Sequence, residues 1–557
     1  MEGLNLKQKV KMYIGYVVML IGVIAILGVV SVATPNDIAS GEMAYQKLWL
    51  GRMSLVFAVC ALFALILNGK AHLSFPSCVT WVLIFLGGVE AFWGLRQIYG
   101  FAVSNHSLYA LTGSFFNPGP YSGYLAMIFP LCLHEWLNLR NAARCTYSEQ
   151  IRYYASIGVM LLILCVLPAG MSRSAWIAVA VSGTWVYGVH ASWLSRLKEE
   201  SRTNGKRLAF VLIVSGLTLV AVGYNLFQIK AASANGRLFM WKISSLAIAE
   251  KPLTGYGSGS FAAAYGRMQE SYFAKGDYSG TEELVAGSPE YAFNEYLQVA
   301  VEYGIPALVV LLSAIAFCLW KGIREKRIGI CGGVISVLVF AFSSYPIQIP
   351  GFAVAFFFLL AACVVGRSRP TFLLFLVIIS LWGTYYLKTN RYEACKEWNS
   401  AKMLYNIGAY QSAKEEYEKL YPDLKNRGAF LFEYGHCLHK LKEYDSSTKI
   451  LEEAMEHTCD PMVLNIIGKN YQATGDYEKA EENLIRSTHR LPGRIYPYYL
   501  LAKLYALPEF YSPEKLYYAV NVVLTKEPKV QSTAVREMRE EVRKLNKYIF
   551  SEDNGNI

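Results

Sequence analysis

Three arginines lie away from the basic loops of the chain: Arg96 and Arg173 near the ends of long apolar segments, and Arg237 in the polar segment at 225–296. An arginine near hydrocarbon is costly, about 2.5–3.5 kcal/mol at a helix centre, so each guanidinium needs either the headgroup layer or an anionic partner. The connection at 171–174 is so short that Arg173 points along the neighbouring segments. We therefore favour an anionic partner for Arg173 and leave both explanations open for the other two arginines.

Arg237 and Lys242 lie near the start of a predicted helix. Asn235 has a side chain suited to cap that helix, and Pro252 disfavours a helical conformation in the residue before it. The helix is therefore predicted from Arg237 to Glu250. Because cations at a helix N-terminus gain nothing from the helix dipole, we expect both basic side chains to serve another partner.

A second polar group precedes the next apolar segment and consists of Glu290, Tyr291, Asn294 and Glu295. Glu290 and Asn294 are four residues apart, a spacing that puts two side chains on the same face of a helix. A carboxylate here can act as a general base if it comes within hydrogen-bond reach of an acceptor hydroxyl. The alternative is structural, with Glu290 capping the helix that follows.

Two further stretches have the composition of turns. Residues 113–124 contain Asn117 followed by Pro118 and Pro120, which predicts a helix start whose free amide groups can bind an anion. A re-entrant turn explains the same residues. The alternating glycines at 255–259 lack the GK[ST] ending of a nucleotide-binding loop, so we interpret them as a turn that lets the backbone approach a ligand.

The elements that must position these side chains are mostly membrane helices. With 54% hydrophobic residues and a mean hydropathy of +0.27, the chain of 557 residues is too apolar for a purely soluble protein. Eleven apolar runs are long enough to cross about 30 Å of hydrocarbon. They are predicted at 13–33, 49–67, 78–95, 120–137, 153–170, 174–193, 208–224, 297–320, 328–345, 351–366 and 371–388.

Basic residues divide the loops between these runs into two classes. Loops predicted on one side carry clusters of lysine and arginine, as at 196–207 and 321–327, whereas loops on the other side carry few. Because basic residues accumulate in cytoplasmic loops, the N-terminus is predicted to be cytoplasmic. The long polar segment at 225–296 and everything after residue 389 are then predicted on the periplasmic side of a bacterial inner membrane.

The last third of the chain repeats with a period near 34 residues, the tetratricopeptide period, as at Tyr410, Tyr444 and Tyr477. Each repeat of this kind is a helix pair that stacks on the next and leaves a concave groove. The predicted fold is therefore all-α, with a polytopic membrane bundle at 1–389 and a soluble solenoid at 390–550. The groove is expected to bind a peptide, an acceptor protein, a partner enzyme or a glycan, unless the repeats are only a spacer or a lid.

Charge and cysteine usage exclude other classes of protein. The formal net charge of +11 lies mostly in short loops rather than on a basic face interleaved with aromatic residues, so no nucleic-acid partner is indicated. The eleven cysteines include no CxxC pair and no cluster with histidine at metal-binding spacing. We therefore expect neither a metal site nor a redox motif, and no cofactor.

The order of these stretches resembles the bacterial O-antigen ligase and polymerase superfamily, which includes the protein O-oligosaccharyltransferases. The resemblance covers about residues 80–345 and rests on 113–124, 172–174, 236–242, 252–259, 294–298 and 302–306. It implies a metal-independent, membrane-embedded enzyme that takes a glycan from undecaprenyl diphosphate. The acceptor is a hydroxyl on lipopolysaccharide core, on a growing polysaccharide or on a protein.

By the same resemblance, Arg173 and Arg237 hold the donor diphosphate, and we expect Lys242 and Arg96 to take part in binding it. Guanidinium groups suit this role because they bind phosphate oxygens through two parallel hydrogen bonds and stay charged. The charge that grows on the leaving diphosphate is then stabilised without a metal ion. Asn117 and Trp241 are expected to line the substrate cavity.

One position departs from the family pattern. Where a histidine is expected before Asn294 to activate the acceptor, this chain has Phe293. Acceptor activation therefore falls to Glu290, with Tyr291 and Glu295 as alternatives, or is mostly positional. Two other functions stay open: a transporter or flippase of lipid-linked glycan, for which no inverted repeat is evident, and a non-catalytic scaffold for glycan assembly.

Overall fold

The computed structural model describes residues 6–32, 43–140, 146–204, 231–366, 368–389, 391–528 and 531–552, with a few isolated positions between 206 and 228. Throughout these ranges the regular elements are helices. The prediction of an all-α fold is thereby confirmed. The predicted span at 208–224 lies almost wholly outside the described residues.

The apolar part of the chain contains a series of α-helices. They are α1 (Leu6–Leu27), α2 (Ala44–Leu67), α3 (Phe75–Ile98), α4 (Pro118–Leu139), α5 (Tyr147–Val166), α6 (Arg173–His190), α7 (Trp193–Thr203), α8 (Ala231–Glu250), α9 (Phe261–Ala274), α10 (Gly280–Val285), α11 (Glu295–Arg324), α12 (Ile328–Ala341), α13 (Pro350–Val364) and α14 (Arg369–Thr389). Six helical segments among the described residues are long and apolar enough to cross a membrane, which makes this a membrane protein. These six are Leu6–Ser31, Ala44–Leu67, Ala71–Ile98, Tyr147–Val166, Glu295–Arg324 and Arg369–Asn406.

The predicted count of eleven spans is not confirmed. Four predicted spans coincide with helices outside those six, namely α4, α6, α12 and α13. Helices α12 and α13 have 14 and 15 residues, so each is only about 21–23 Å long, less than the hydrocarbon thickness. Most of their side chains are buried against other helices. An apolar run in this chain therefore marks the core of the bundle as well as a membrane span.

Helices α4, α6 and α12 pack on one another at the centre of the bundle. Gly123 on α4 leaves room for the Phe340 ring of α12, where a side chain would clash. Gly170, in the turn before α6, packs directly against Ser122 near the start of α4. Since small residues let membrane helices approach closely, these contacts hold the starts of α4 and α6 next to each other.

The described part of the polar segment at 225–296 folds around an apolar core of its own. Aromatic and aliphatic side chains of α8, α9 and α11 form this core: Phe239, Ile243, Phe261, Tyr265, Phe273 and Val301. Helix α8 ends at Glu250, as predicted. It begins at Ala231, before Asn235, so the prediction that Asn235 caps this helix is wrong.

The glycines at 255–259 join the loop to α11. Gly255, with φ +63°, packs on the backbone of Glu302, and the Gly257 amide donates a 2.8 Å hydrogen bond to the carbonyl oxygen of Glu302. The helix is interrupted nearby at Gly304, whose φ is +83°. Left-handed φ values and so close an approach both favour glycine. Gly255 therefore permits a close approach to α11, and the approach of the turn to a ligand stays a prediction.

The last part of the described chain is a row of helices, each of which packs on the next. They are α15 (Tyr392–Asn406), α16 (Tyr410–Leu424), α17 (Gly428–Lys440), α18 (Tyr444–Ala454), α19 (Pro461–Thr474), α20 (Tyr477–Arg490), α21 (Tyr496–Tyr505), α22 (Pro513–Thr525) and α23 (Thr533–Glu552). A Cβ atom on Gly435 would lie 2.6 Å from Cγ of Leu451, and one on Gly468 would lie 2.9 Å from Cγ of Leu484. These equivalent contacts agree with the predicted period. The tetratricopeptide assignment and the domain boundaries stay predictions.

The repeat helices pack against the loop helices. Glu270 on α9 accepts hydrogen bonds from Arg486 at 2.8 Å and from Arg490 at 2.6 Å, both on α20. The side chain of Arg490 is 3% exposed, and Gln269 donates to its backbone carbonyl. Leu491 completes the apolar core of the loop. The loop and the repeats therefore share one core and a buried ion pair, which fixes the position of the loop.

Candidate functional site

The structure brings Arg173 and Arg237 together from different helices. Arg173 is the first residue of α6, Arg237 lies in the second turn of α8, and their charges are close enough to interact. Burial, reinforced by the Arg173 guanidinium, lowers the pKa of Arg237 from its usual value. Within the described part of the chain, Arg237 has no carboxylate partner. Two cations held side by side in a half-buried position favour the binding of an anion.

Phe293, at the position where a histidine was expected, contacts Arg237. The guanidinium carbon lies 5.5 Å from the centre of the phenyl ring, within the range of a cation–π contact. The same ring meets Tyr345 edge-on at 4.8 Å, and Tyr291 stacks on Tyr345 at 5.1 Å. Phe293 has φ +49°, a strained conformation for a residue other than glycine and one that concentrates at functional sites. The arginine pair therefore lies beside a cluster of three aromatic rings.

Asn294 and Glu295 hold the backbone around these rings. The Asn294 side chain accepts hydrogen bonds of 3.0 and 3.1 Å from two amides in the first turn of α11, so it caps this helix. The buried carboxylate of Glu295 accepts from the Ile347 amide at 2.7 Å and from the Gln348 side chain at 2.9 Å. Both donors lie in the short turn after Tyr345, two and three residues further along the sequence. The contacts of Asn294 and Glu295 are thus positional, and catalytic roles for them stay predictions.

Glu290 differs from Glu295 in being exposed. Its charge interacts with Tyr345, and within the described residues no hydrogen bond engages its carboxylate. Pro289, directly before it, accepts a hydrogen bond from the Cys459 thiol at 3.4 Å, which ties this segment to the repeats. The structural alternative, in which Glu290 caps α11, is wrong, because Asn294 supplies that cap. Glu290 is thus left with both oxygens available to a substrate.

Two of the predicted donor-binding residues have their described contacts elsewhere. Lys242 forms an ion pair of 2.6 Å with Glu282, which joins α8 to α10. Arg96 donates to the carbonyl oxygen of Phe101 at 3.1 Å and stacks over Trp93, 5.1 Å from the ring centre. Neither contact involves the arginine pair. Diphosphate binding by Lys242 and Arg96 therefore stays a prediction without geometric support.

The two residues predicted to line the substrate cavity are Asn117, at the start of α4, and Trp241, on α8. Asn117 accepts from the Gly119 amide at 3.1 Å and caps α4, which begins at Pro118, so the predicted helix start is confirmed. Trp241 packs edge-on against Phe342 at 5.2 Å. Its indole N–H is buried and has no hydrogen-bond partner among the described residues. An unpaired buried donor is rare in proteins and marks a place where a substrate oxygen would be bound favourably.

Tyr345 is a site residue that the sequence did not single out. It contacts both Tyr291 and Phe293, and its ring interacts with the charges of Arg237 and Glu290. A tyrosine at the end of an apolar segment is ordinary at a membrane surface. Its sequence context therefore carried no signal of function, and its role follows only from the turn that Glu295 holds.

A second network also went unnoticed in the sequence. The Gln298 side chain accepts from the Ala292 amide at 2.8 Å and donates to Glu302 at 2.9 Å. Glu302 in turn accepts from the amides of Gly259 and Phe261. This chain of contacts ties both ends of the loop to α11. The signal was present, because polar residues four apart in an apolar helix share one face.

Comparison with known families gives one match. The profile of a family described as O-antigen ligase matches residues 158–312. The matched range includes both arginines of the pair and the cluster at 290–295. Comparison with curated proteins and with solved structures gave no match.

Proposed function

The chain is a member of the O-antigen ligase superfamily, and from this premise we propose that it transfers a glycan from undecaprenyl diphosphate to the hydroxyl of an acceptor. The observation that carries the proposal is the pair of half-buried arginines, Arg173 and Arg237. Among the described residues, no carboxylate forms an ion pair with Arg237. A diphosphate supplies the missing negative charge. Two guanidinium forks bind its oxygens in a way that a single lysine does not match.

In the proposed reaction the bond between the sugar anomeric carbon and the diphosphate oxygen breaks, and a bond to the acceptor oxygen forms. Negative charge grows on the leaving diphosphate as the first bond lengthens. Arg173 and Arg237 act on that charge and therefore stabilise the transition state more than the bound donor, which is the requirement for catalysis. The Trp241 indole N–H, buried and unpaired among the described residues, is proposed to donate to an oxygen of the substrate.

We assign acceptor activation to Glu290. Its exposed carboxylate takes the proton of the acceptor hydroxyl as that oxygen attacks the anomeric carbon. Glu295 acts as a positioning residue, because its two hydrogen bonds hold the turn that follows Tyr345. Tyr291, Phe293 and Tyr345 shape the space between donor and acceptor. In this proposal their rings exclude water, which would otherwise compete with the acceptor for the sugar.

The proposed setting is the bacterial inner membrane, with the N-terminus in the cytoplasm and the loop at 225–296 in the periplasm. The support is the distribution of basic residues in the loops. The tetratricopeptide domain at 390–550 is then periplasmic as well, next to the loop that it contacts. Its place beside Glu290 favours a role in holding the acceptor.

The test is a transfer assay in liposomes that contain the purified protein and undecaprenyl diphosphate glycan. Separate reactions receive lipopolysaccharide core, a glycan or a protein as the acceptor. We expect a glycosylated acceptor and free undecaprenyl diphosphate in equal amounts. Movement of lipid-linked glycan across the bilayer without any glycosylated acceptor would instead make the protein a transporter. Donor turnover with no acceptor modified and no movement would contradict both functions.

A further inference from the structure

A cavity of about 710 Å³ lies where the loop meets the repeats. Its walls come from the loop segment 286–288, the starts of α19 and α21, and α23. Most of the lining side chains are apolar, among them Met462, Leu491 and Met538, and Arg494 is a charged residue in the lining. This size is typical of a ligand pocket, and so is an apolar wall with few polar groups.

One polar group in the wall lacks a partner. Asn465 is 1% exposed, and its side-chain oxygen has no hydrogen bond within the described part of the chain. Its side-chain nitrogen donates to the sulfur of Met462 at 3.5 Å. A buried oxygen without a donor costs roughly 1–3 kcal/mol, so an N–H or O–H from a ligand would be bound favourably there. Methionine is a flexible cover that can move aside for such a ligand.

The cavity lies close along the chain to the acceptor end of the site. Ser288 lines it, and Glu290 is two residues further on, at most about 7 Å along the chain. The Cys459 thiol holds Pro289 between them by its hydrogen bond of 3.4 Å. A ligand that contacts Ser288 in the cavity therefore lies within a short distance of Glu290.

A group of three lysines begins one helical turn from Asn465, which lines the cavity. Lys469 lies one helical turn after Asn465 on α19, and its charge interacts with those of Lys440 on α17 and Lys503 on α21. Burial first, and then these two neighbouring cations, lower the pKa of Lys469. Within the described residues, no carboxylate pairs with Lys440 or Lys469. The groove beside the cavity therefore attracts negative charge.

We propose that this cavity and the three lysines bind an extended peptide of a protein acceptor, apolar where it enters the cavity and acidic where it crosses the lysines. A backbone N–H of the peptide would pair with the oxygen of Asn465. The apolar wall favours a peptide over a saccharide, whose many hydroxyl groups would lose water there without gaining partners. The acceptor role rests on the proposed transfer reaction, whereas the binding does not.

The test uses the full-length protein in detergent and a fluorescent synthetic peptide with an acidic half and an apolar half that contains one serine. We expect saturable binding that Ala534→Trp and Lys469→Glu each weaken at least ~10-fold. Ala534 is exposed and lines the cavity, so tryptophan fills the cavity without disturbing a core. The matched control is Ala473→Trp, on an exposed position of α19 outside the cavity. Added salt should weaken binding to the wild type more than binding to Lys469→Glu.

Three outcomes would overturn the inference: no binding of the peptide, equal binding by the wild type and Ala534→Trp, or displacement of the peptide by free core oligosaccharide. Because no donor is present, failure of the proposed transfer reaction does not affect this result. If the protein transfers glycan to lipopolysaccharide core but binds no peptide, the peptide-binding inference is wrong and the proposed transferase function stands. If the protein binds the peptide, loses this binding in Ala534→Trp and modifies no acceptor, the peptide-binding inference stands and the proposed transferase function is wrong.

Discussion

The two ends of the loop differ in how completely their polar groups are satisfied. At the donor end, Arg237 lies beside Arg173 and has no carboxylate partner in the described chain. At the acceptor end, Asn294 caps α11 and Glu295 accepts two hydrogen bonds from the turn after Tyr345. Within the described ranges, Arg237 at the donor end lacks an anion, whereas at the acceptor end Asn294 and Glu295 are satisfied and only Glu290 is left available.

This difference indicates how the two substrates are recognised. A diphosphate is the same group on every lipid-linked glycan, so a pair of guanidinium groups suffices to hold it. An acceptor hydroxyl has no charge to grip, and its position must come from the parts of the acceptor around it. The proposed cavity beside Ser288 supplies such contacts. In this view the donor end works by charge and the acceptor end by shape.

The largest effect is expected from the arginine pair. Arg237→Ala or Arg173→Ala should lower the transfer rate by ~10²–10³-fold, the usual loss when one donor to a developing negative charge is removed. The transfer rate of Arg237→Lys should lie between those of the wild type and Arg237→Ala, because an ammonium group keeps the charge but loses the two parallel hydrogen bonds of a guanidinium group. Initial rates of transfer in liposomes measure this. Arg267→Ala is the matched control, since Arg267 pairs with Glu456 on the surface, and an equal loss in that variant would contradict the prediction.

A smaller loss is expected at the acceptor end. Glu290→Gln removes the proposed base but keeps the size of the side chain, and should lower kcat by roughly 10²-fold. KM for the donor should stay unchanged, because donor binding depends on the arginines. The measurement is kcat and KM over a series of donor concentrations. A variant with nearly normal kcat would mean that acceptor activation is positional only.

Substitution of Glu295 is expected to lower the stability of the folded protein rather than to act directly on the transfer reaction. Glu295→Ala leaves the Ile347 amide and the Gln348 side chain buried without their acceptor, at a cost of about 1–3 kcal/mol. Glu295→Gln keeps one acceptor oxygen and should cost less. Thermal unfolding in detergent measures the difference. An alanine variant as stable as the wild type, but inactive, would instead support a catalytic role for Glu295.

The smallest effect is a pH dependence in the loop. The hydrogen bond that Lys242 donates to Glu282 is the main cause that lowers the pKa of Glu282 from 4.5 to about 2. The same hydrogen bond is the main cause that raises the pKa of Lys242 above 10.5. The pair therefore stabilises the loop fully between about pH 4.5 and pH 10.5. It loses this effect as the pH falls towards 2, and also as the pH rises past the raised pKa of Lys242. Since Lys242 is half exposed, we expect at most about 1 kcal/mol.

The measurement is the midpoint of thermal unfolding of the wild type and of Glu282→Gln at a series of pH values. The wild type should be slightly more stable near neutral pH, and the difference should vanish in acid. A difference that persists at the lowest pH would show that the pair contributes by packing rather than by charge. Lys479→Met controls for the loss of a surface ion pair outside the loop, because Lys479 pairs with Asp476 within one helix turn of the repeats.

The sequence predicted local features better than the contacts between them. The end of α8 before Pro252 and the start of α4 at Pro118 agree with the structure, because proline acts on its own neighbours. The start of α8 at Ala231 was missed, since the expected cap at Asn235 has no effect inside a helix that packing extends. The span count is not confirmed at α12 and α13, because burial and membrane contact select the same apolar residues.

The candidate site shows the same division. Arg173 and Arg237 were singled out because charge beside an apolar segment is visible in the sequence. Tyr345 was not, because it gains its role only by contact with Tyr291 and Phe293. The cavity at 286–288 was also invisible, since one wall comes from the loop and the others from helices far along the chain.

By itself, the sequence determined an all-α membrane protein with a polar loop, a repeated C-terminal third and the residues that could hold a diphosphate. The fold class, the loop and the repeats follow from composition, hydropathy and spacing, which act over a few turns of chain, whereas the diphosphate is what the family resemblance implies. Only the tertiary structure decided that the arginines meet, that Glu295 accepts hydrogen bonds from the turn after Tyr345, and that the repeats close a cavity at Ser288. Contacts between distant segments depend on which surfaces pack together, and no local pattern contains that information.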